Sequence, residues 1–194
     1  VHSMAAALAR SATRRDVARA LREHLHPATR ADYSIVAAVR NDQHDLEVLT
    51  GTSSVALNPT DLDESVKKAV VESLMRGRAV EVNDHDEISR VFPALASAGI
   101  QSFALLPIRS GRSLVAVLGI GWTRPGGITS EARRLLAIAV SLGGAAFERA
   151  AAYDLDHHIA DTLQRHLLTS PEITHPGVAW AARYAPGAEE LTAG

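Results

Sequence analysis

The sequence predicts an α+β fold of three layers: a central antiparallel sheet, helices on one face, and helices with loops on the other, followed by a long C-terminal helix. Two apolar segments, Ser102–Ile108 and Ser113–Trp122, flank a hairpin-length connection that contains glycine. Their apolar residues are continuous, which an antiparallel sheet shows only where both of its faces are covered. From Thr129 onward the apolar residues keep helical spacing over several turns.

The N-terminal segment predicts a helix over residues 4–25. Val17, Leu21 and Leu25 are spaced by four, and Pro27 is expected to end the pattern. Thr13 followed by Asp16 has capping-box spacing, so a helix could restart at that point.

A β-hairpin is predicted next. Tyr33–Arg40 and Asp45–Gly51 are rich in β-branched and apolar residues, and the polar residues 41–44 lie between them. These two strands begin the predicted sheet.

The middle of the chain predicts a helical cover for that sheet. A second helix is expected to open at Asn58-Pro59-Thr60 and to end at Gly77, which has the place of a C-terminal glycine cap. Ala79–Val82 is a short strand. Asn83-Asp84 cap a further helical segment, which Pro93 splits into two short helices because proline lacks the backbone N–H.

The last helix is predicted to have two parts. Thr129 is its N-cap, and a broad apolar face continues to Phe147. Beyond it the apolar positions narrow to a series spaced by four: Leu155, Ile159, Leu163 and Leu167. A narrow apolar stripe of this kind generally packs on a partner helix, so we expect a homodimer through this segment.

The composition excludes several classes. The chain has 194 residues, 46% of them hydrophobic, and a net charge of −2, so a basic surface for nucleic acid is not expected. No apolar stretch reaches the ~20 residues of a membrane span and no signal peptide is evident, which predicts a cytoplasmic protein without membrane contact. The absence of cysteine excludes disulfides and thiolate-bound zinc.

The order of elements and the segment Phe103–Asp154 resemble a GAF domain. The matching features are a strand with Pro107, a following strand with Leu118-Gly119-Ile120, and a helix that ends in a Phe-Glu-Arg-Ala step at residues 147–150. The resemblance covers residues 1–150. It implies a PAS-related sensory fold that binds a small ligand in a pocket beside the sheet.

The segment after residue 150 resembles the junction at which actinobacterial GAF sensors continue into a SpoIIE/PP2C-like (PPM) serine/threonine phosphatase. The matching residues are Ile159-Ala160, Leu163-Gln164-Arg165, Leu167-Leu168, Ala181-Ala182-Arg183-Tyr184 and Pro186. The resemblance implies a signalling helix over residues 151–169 and an incomplete phosphatase start over 170–194. The family's acidic ligands for Mg²⁺ or Mn²⁺ would come after Gly194, so this fragment is expected to bind no metal and to have no enzymatic activity.

Four residues are candidates for the ligand pocket: His85, Phe92, Phe103 and Trp122. His85 lies in a predicted capping turn, where exposed charges around a helix cap are the simpler interpretation. The three aromatic residues are equally consistent with a core role. His157-His158 could suggest phosphoryl transfer, but neighbouring helical residues point ~100° apart and are more simply solvated.

The resulting functional hypothesis is a dimeric sensory domain that binds a small ligand, or otherwise transmits a signal, through its C-terminal helix to a phosphatase. The alternative is a ligand-free module for dimerisation or protein docking. A polar-lined void would favour the first, and a pocket filled with Leu, Phe and Val the second.

Overall fold

The predicted three-layer α+β architecture is confirmed. The computed structural model describes residues 2–39, 46–51 and 64–167, with side chains described outside 64–67 and 155–167. The helices within these residues are α1 (His2–Arg10), α2 (Arg14–Thr29), α3 (Glu64–Met75), α4 (His85–Val91), α5 (Pro93–Ser97) and α6 (Ser130–Leu167). The strands are β1 (Tyr33–Val39), β2 (Leu46–Gly51), β3 (Val80–Val82), β4 (Ser102–Ser110) and β5 (Ser113–Trp122).

The strands form one antiparallel sheet in the order β2-β1-β5-β4-β3. The predicted hairpins β1–β2 and β4–β5 are both present. The pairing of β1 with β5 joins the two hairpins into one sheet, with Tyr33 paired to Gly121 and Ala38 to Ala116. The edge strands β2 and β3 are the shortest of the five, with 6 and 3 residues, which limits the unpaired backbone groups at the edges of the sheet.

One face of the sheet is covered by α1, α2 and α6. The largest fully buried side chains between the sheet and these helices are Leu21, Ile108, Leu118, Ile120, Trp122, Leu136 and Phe147. Burying each of these side chains contributes roughly 1.5–3 kcal/mol. We call this side of the sheet the terminal-helix face.

The other face is covered by α3, α4 and α5. The buried residues there are Tyr33, Ile35, Leu74, Val82, Ile88, Phe92, Leu95, Ile100, Phe103, Leu105 and Val117. We call this side the pocket face. With both faces covered, the continuous apolar runs of β4 and β5 are explained.

The predicted helix over residues 4–25 is wrong as a single element, because the chain forms two helices with a break before Thr13. The break is stabilised by the capping box suggested by the sequence. The backbone N–H of Asp16 donates to Thr13 Oγ1 at 3.2 Å, and the N–H of Thr13 donates to Asp16 Oδ2 at 3.2 Å.

Pro27 does not end α2, which continues to Thr29. Arg30 then closes the helix in the left-handed conformation, with φ of 53°. The backbone N–H of Arg30 bonds to the carbonyls of His26 and Pro27, so the last turn is satisfied despite the proline.

The helices that cover the pocket face end and divide at the glycine and proline that the sequence indicated. Gly77 follows α3 with φ of 75°, and the N–H of Arg78 bonds to the carbonyl of Ser73 at 2.9 Å. Pro93 separates α4 from α5, as predicted. The predicted helix start at Asn58-Pro59-Thr60 lies outside the described residues.

Helix α6 begins at Ser130 and is capped by Thr129, whose Oγ1 accepts from the N–H of Ala132 at 3.1 Å. Leu136, Ala139 and Phe147 are buried, as expected, but Ile138 is 39% exposed and does not belong to the packed face.

By length and composition, Ser130–Asp154 could cross a membrane. The core helix of a soluble domain passes the same test, and this segment packs on the sheet, so the test is weak evidence for a span.

The chain divides into two compact units, Val1–Asp156 and His157–Gly194. The predicted boundaries at residues 150 and 169 stay predictions.

Candidate functional site

The pocket face centres on three aromatic rings. The ring centroids of Phe92 and Phe103 are 5.3 Å apart with their planes at 68°, an edge-to-face contact. The rings of Tyr33 and Phe103 are 6.1 Å apart. Phe92 comes from the break between α4 and α5, whereas Phe103 and Tyr33 come from the sheet. The cluster therefore joins the helical cover to the sheet.

Two glycines of β5, Gly119 and Gly121, make room for this cluster. A Cβ at Gly119 would lie 2.6 Å from Ile35 Cγ2 and 3.2 Å from Phe103 Cζ. A Cβ at Gly121 would lie 3.2 Å from both Ile100 Cγ2 and Phe103 Cδ2. The apolar side chains on either side thus fill the space that glycine leaves in the strand.

His85 lies at the rim of this face and is exposed. It is the first residue of α4, directly after Asp84, whose Oδ1 accepts from the N–H groups of Asp86 and Glu87 at 2.8 and 3.1 Å. His85 Nδ1 is 3.4 Å from the carbonyl oxygen of Ile100. The simpler interpretation, a helix cap among exposed charges, matches this geometry.

The structure does not bring Trp122 together with the other three candidates. Its side chain is fully buried on the terminal-helix face, and its Nε1–H donates to the carbonyl of Thr29 at 3.0 Å. Neighbouring residues of a strand point to opposite faces of the sheet. Gly121 faces Phe103 on the pocket face, so the side chain of Trp122 points to the terminal-helix face. Of the predicted pocket residues, Phe92 and Phe103 are in contact and His85 is at the rim.

A polar network at the end of the sheet joins α2, β1 and β5. The Asp32 carboxylate accepts from the Thr123 backbone N–H at 2.8 Å and from its hydroxyl at 3.0 Å. The backbone bond is the largest cause that lowers the pKa of Asp32, and Arg124 and His26 lower it further, against the opposing effect of burial.

A second polar contact holds α6 where it leaves the packed domain. The Arg14 Nε–H donates to Asp154 Oδ2 at 3.0 Å, and the Arg149 guanidinium donates to the carbonyl of Leu8 at 3.2 Å. The ends of α1 and α2 are thereby tied to the same stretch of α6. No sequence signal indicated this contact, because the partners are 140 and 141 residues apart.

The predicted signalling positions Leu155, Ile159, Leu163 and Leu167 all belong to α6. Their side chains lie outside the described residues, so their role as a dimer seam stays a prediction.

No cluster of three or more metal-ligating side chains occurs among the residues that the structure describes.

The comparisons with known proteins agree with this architecture. The model of the GAF domain family matches residues 11–148. No curated protein matches the sequence. Among solved structures, the GAF domain of a two-component sensor histidine kinase from Bacillus halodurans is 16% identical with a TM-score of 0.61, over 74% of this chain and 99% of that one.

Two further structures show the same fold. The GAF domain of the Acinetobacter phosphoenolpyruvate-protein phosphotransferase is 15% identical with a TM-score of 0.60, over 78% of this chain and 92% of that one. The GAF domain of the potassium sensor histidine kinase KdpD from Escherichia coli is 19% identical with a TM-score of 0.54, over 84% and 96%. The family model covers most of the chain, and the sheet and its two helical layers match it: the chain belongs to the GAF domain family.

Proposed function

We propose that this chain is the sensory and regulatory part of a cytoplasmic signalling protein, in which the GAF domain controls the helix that follows it. The observation that carries the proposal is α6. It packs on the sheet through Leu136, Ala139 and Phe147, and the same helix continues to Leu167. A change in the domain's packing therefore has a continuous helix on which to act. A domain of a putative sensor histidine kinase, the GAF domain of another sensor histidine kinase and a segment of a methyl-accepting chemotaxis protein are among the structurally similar proteins.

The mechanism we propose is a shift between two arrangements of α6. A small ligand at the pocket face would change their populations only by binding one arrangement more tightly than the other. Phe92 and His85 lie on or beside α4, so a ligand there would act on the cover while the sheet and α6 respond.

We propose that the output is a PP2C-like serine/threonine phosphatase of the actinobacterial type. Support comes from the resemblance of residues 159–186, and Mg²⁺ or Mn²⁺ would be bound by residues beyond them. The present chain should hydrolyse no phosphoserine peptide with Mn²⁺, whereas the protein extended through the acidic ligands should. Activity of the 194-residue chain itself would contradict this assignment.

The signalling helix is proposed to act as a homodimer. Replacing Ile159 or Leu163 by Glu should convert the dimer to a monomer in sedimentation, because a charge would enter a narrow apolar seam. Gln164→Glu, which lies off the series spaced by four, is the matched control. An unchanged oligomer in all three variants would show that this segment is not the interface.

A second candidate, a ligand-free docking module, is favoured by one specific observation. The described residues of the pocket face are packed with apolar side chains, and Ile35, Phe103 and Leu105 crowd the space above Gly119. Native mass spectrometry of the purified protein distinguishes the two candidates. A bound small molecule supports the sensor of a ligand, and a mass equal to that of the bare polypeptide supports docking.

A further inference from the structure

Arg109, near the end of β4, contacts both helical layers of the domain. Its backbone carbonyl packs against Gly144 of α6: a Cβ added at Gly144 would overlap the carbonyl oxygen and lie 2.9 Å from the carbonyl carbon. Its guanidinium reaches the opposite layer, where a Cβ added at Gly77, just after α3, would lie 2.6 Å from Nη1. One residue of the sheet therefore contacts α6 with its backbone and the end of α3 with its side chain.

The end of β4 is irregular and is held to α6 by a second contact. The β4–β5 ladder shifts register between Ile108 and Arg109, which disrupts the ladder locally. The Ser110 hydroxyl donates to Glu148 Oε2 at 2.5 Å. Glu148 lies one helical turn after Gly144, so both contacts are on the same side of α6. A displacement of this end of β4 would therefore act on one short stretch of α6.

Helix α3 is held to the sheet by few buried side chains. Among its residues 68–75, Leu74 is the one that is buried. Segments with few buried apolar contacts open at a low free energy. The guanidinium is also incompletely bonded, because Nη2 donates to the carbonyl of Arg112 whereas Arg109 Nε is buried without a partner among the described residues. A buried N–H without a partner destabilises the packed arrangement, so both features lower the free energy needed to move the end of α3 off Arg109.

We propose that Arg109 couples the end of α3 to α6, so that a displacement of α3 at the pocket face changes the packing of α6 at residues 144–148. Such coupling requires an element with two arrangements that both sites influence, and this element is the end of β4, from Ile108 to Ser110. Arg109 is a positioning residue, which acts through its contacts with the two glycines. The proposal deepens the proposed function, on which it rests for the use of this coupling in signalling.

The coupling is tested in the intact 194-residue protein by amide hydrogen exchange, followed by NMR. Gly77→Ala places a Cβ against the guanidinium, so exchange at residues 144–148 should become about threefold faster relative to residues 132–139 of the same helix. Gly99→Ala is the matched control, because Gly99 has a φ of 79° against 75° at Gly77, and an added Cβ there meets no described atom within 4 Å. It introduces the same backbone strain and should leave that ratio unchanged.

Coupling between two sites is reciprocal, so a change on the α6 side should be detected at α3. Ser110→Ala removes the bond to Glu148. It should speed exchange of the amides of residues 76–78, whose N–H groups close the end of α3 on the carbonyls of residues 72–74. Ser113→Ala, at the residue paired with Ser110 in the same hairpin, is the control and should leave these amides unchanged.

Arg109→Ala separates the role of the side chain from a general loss of stability. In that background the effect of Gly77→Ala on residues 144–148 should fall to that of Gly99→Ala, because the guanidinium that the new Cβ displaces is gone.

Two results would overturn the proposal. One is a response of α6 to Gly77→Ala no larger than its response to Gly99→Ala, and the other is unchanged exchange at the end of α3 in Ser110→Ala. Both comparisons are made with Arg109 present, so they decide the question even if Arg109→Ala fails to fold. Neither result bears on the dimer or on the phosphatase, which sedimentation and the activity of the longer chain test separately.

Discussion

Two neighbouring glycines of α6 have opposite roles, and substitution should separate them. A Cβ at Gly144 would overlap the carbonyl oxygen of Arg109 and lie 2.9 Å from its carbonyl carbon. Both atoms are backbone, so β4 or α6 must move. Gly144→Ala is expected to lower the free energy of unfolding by about 1–3 kcal/mol in urea denaturation.

Gly143→Ala is the control for this prediction. There the nearest atoms to an added Cβ are Leu21 Cδ1 at 3.4 Å and Ile108 Cγ2 at 3.5 Å, which is ordinary contact. Alanine also favours a helix interior by up to about 1 kcal/mol over glycine. Gly143→Ala should therefore be neutral or stabilising, and equal losses at both positions would contradict the assigned close approach.

Arg30 is the one non-glycine residue with positive φ among those described. A side chain in the left-handed region is disfavoured by roughly 1–2 kcal/mol, whereas glycine adopts it freely at a helix end. Arg30→Gly should raise the melting temperature by a few degrees. Arg30→Ala keeps the β-carbon and should not, which distinguishes backbone strain from loss of the arginine charge.

Asp32 should make stability depend on pH. Its folded-state pKa lies below the ordinary value of 3.8, chiefly because it accepts a hydrogen bond from the Thr123 N–H. The unfolded state therefore takes up the proton first, and the contribution is complete above about pH 5 and lost as pH falls through the folded-state pKa. Denaturation curves between pH 6 and 3 should show a smaller loss for Asp32→Asn than for the original protein, and parallel losses would rule this carboxylate out.

For individual side chains of the candidate site, the sequence predicted some of the contacts and not the face to which each residue points. Phe92 and Phe103, two of the predicted pocket residues, are in contact in the core, and their role in a ligand pocket stays a prediction. Trp122, predicted beside them, lies on the terminal-helix face instead. A strand that is apolar on both faces shows no alternation, so its pattern does not tell which residue points to which face.

For the helices, capping residues and proline predicted the boundaries better than the spacing of apolar residues did. Thr13 and Asp16 indicated the restart of α2, and Pro93 indicated the division between α4 and α5. Pro27 misled the prediction because its missing N–H falls in the last turn, where Arg30 and Ala31 supply the donors that close the helix.

The contact of Arg14 with Asp154 should control the end of α6 more than it controls global stability. Both side chains are about one-third exposed (31% and 29%), so the ion pair contributes at most ~1 kcal/mol. Asp154→Asn is expected to speed hydrogen exchange of the amides at 150–154 while the melting temperature changes little.

Glu72→Gln, which removes the exposed contact of Arg76 with Glu72, is the matched control. It should leave exchange in α6 unchanged. An Asp154→Asn variant with unchanged exchange would show that apolar packing alone holds this part of the helix.

At the scale of the whole molecule, the first compact unit should fold without the second. The unit ends at Asp156, and the last residues buried in its core are Ala146, Phe147 and Ala150. A chain ending at residue 156 is expected to keep a native circular dichroism spectrum and to unfold in one cooperative transition. A chain ending at 145 lacks those buried residues and should not reach a native circular dichroism spectrum.

The family and the fold class followed from the order of the elements and the continuous apolar strands. The long-range ion pairs, such as Arg14 with Asp154, did not, because they depend on how side chains far apart in sequence meet.

The central pairing of β1 with β5 also determines when the protein can fold. The paired residues Tyr33 and Gly121 are far apart in the chain, so closing the sheet requires a long loop to be brought together first. The local β4–β5 hairpin can form early, but during synthesis β1 must wait on the ribosome until β5 has emerged. Until then the apolar strand β1, buried along most of its length in the native sheet, is exposed, and a chaperone that covers extended apolar segments should bind nascent chains that end before residue 122.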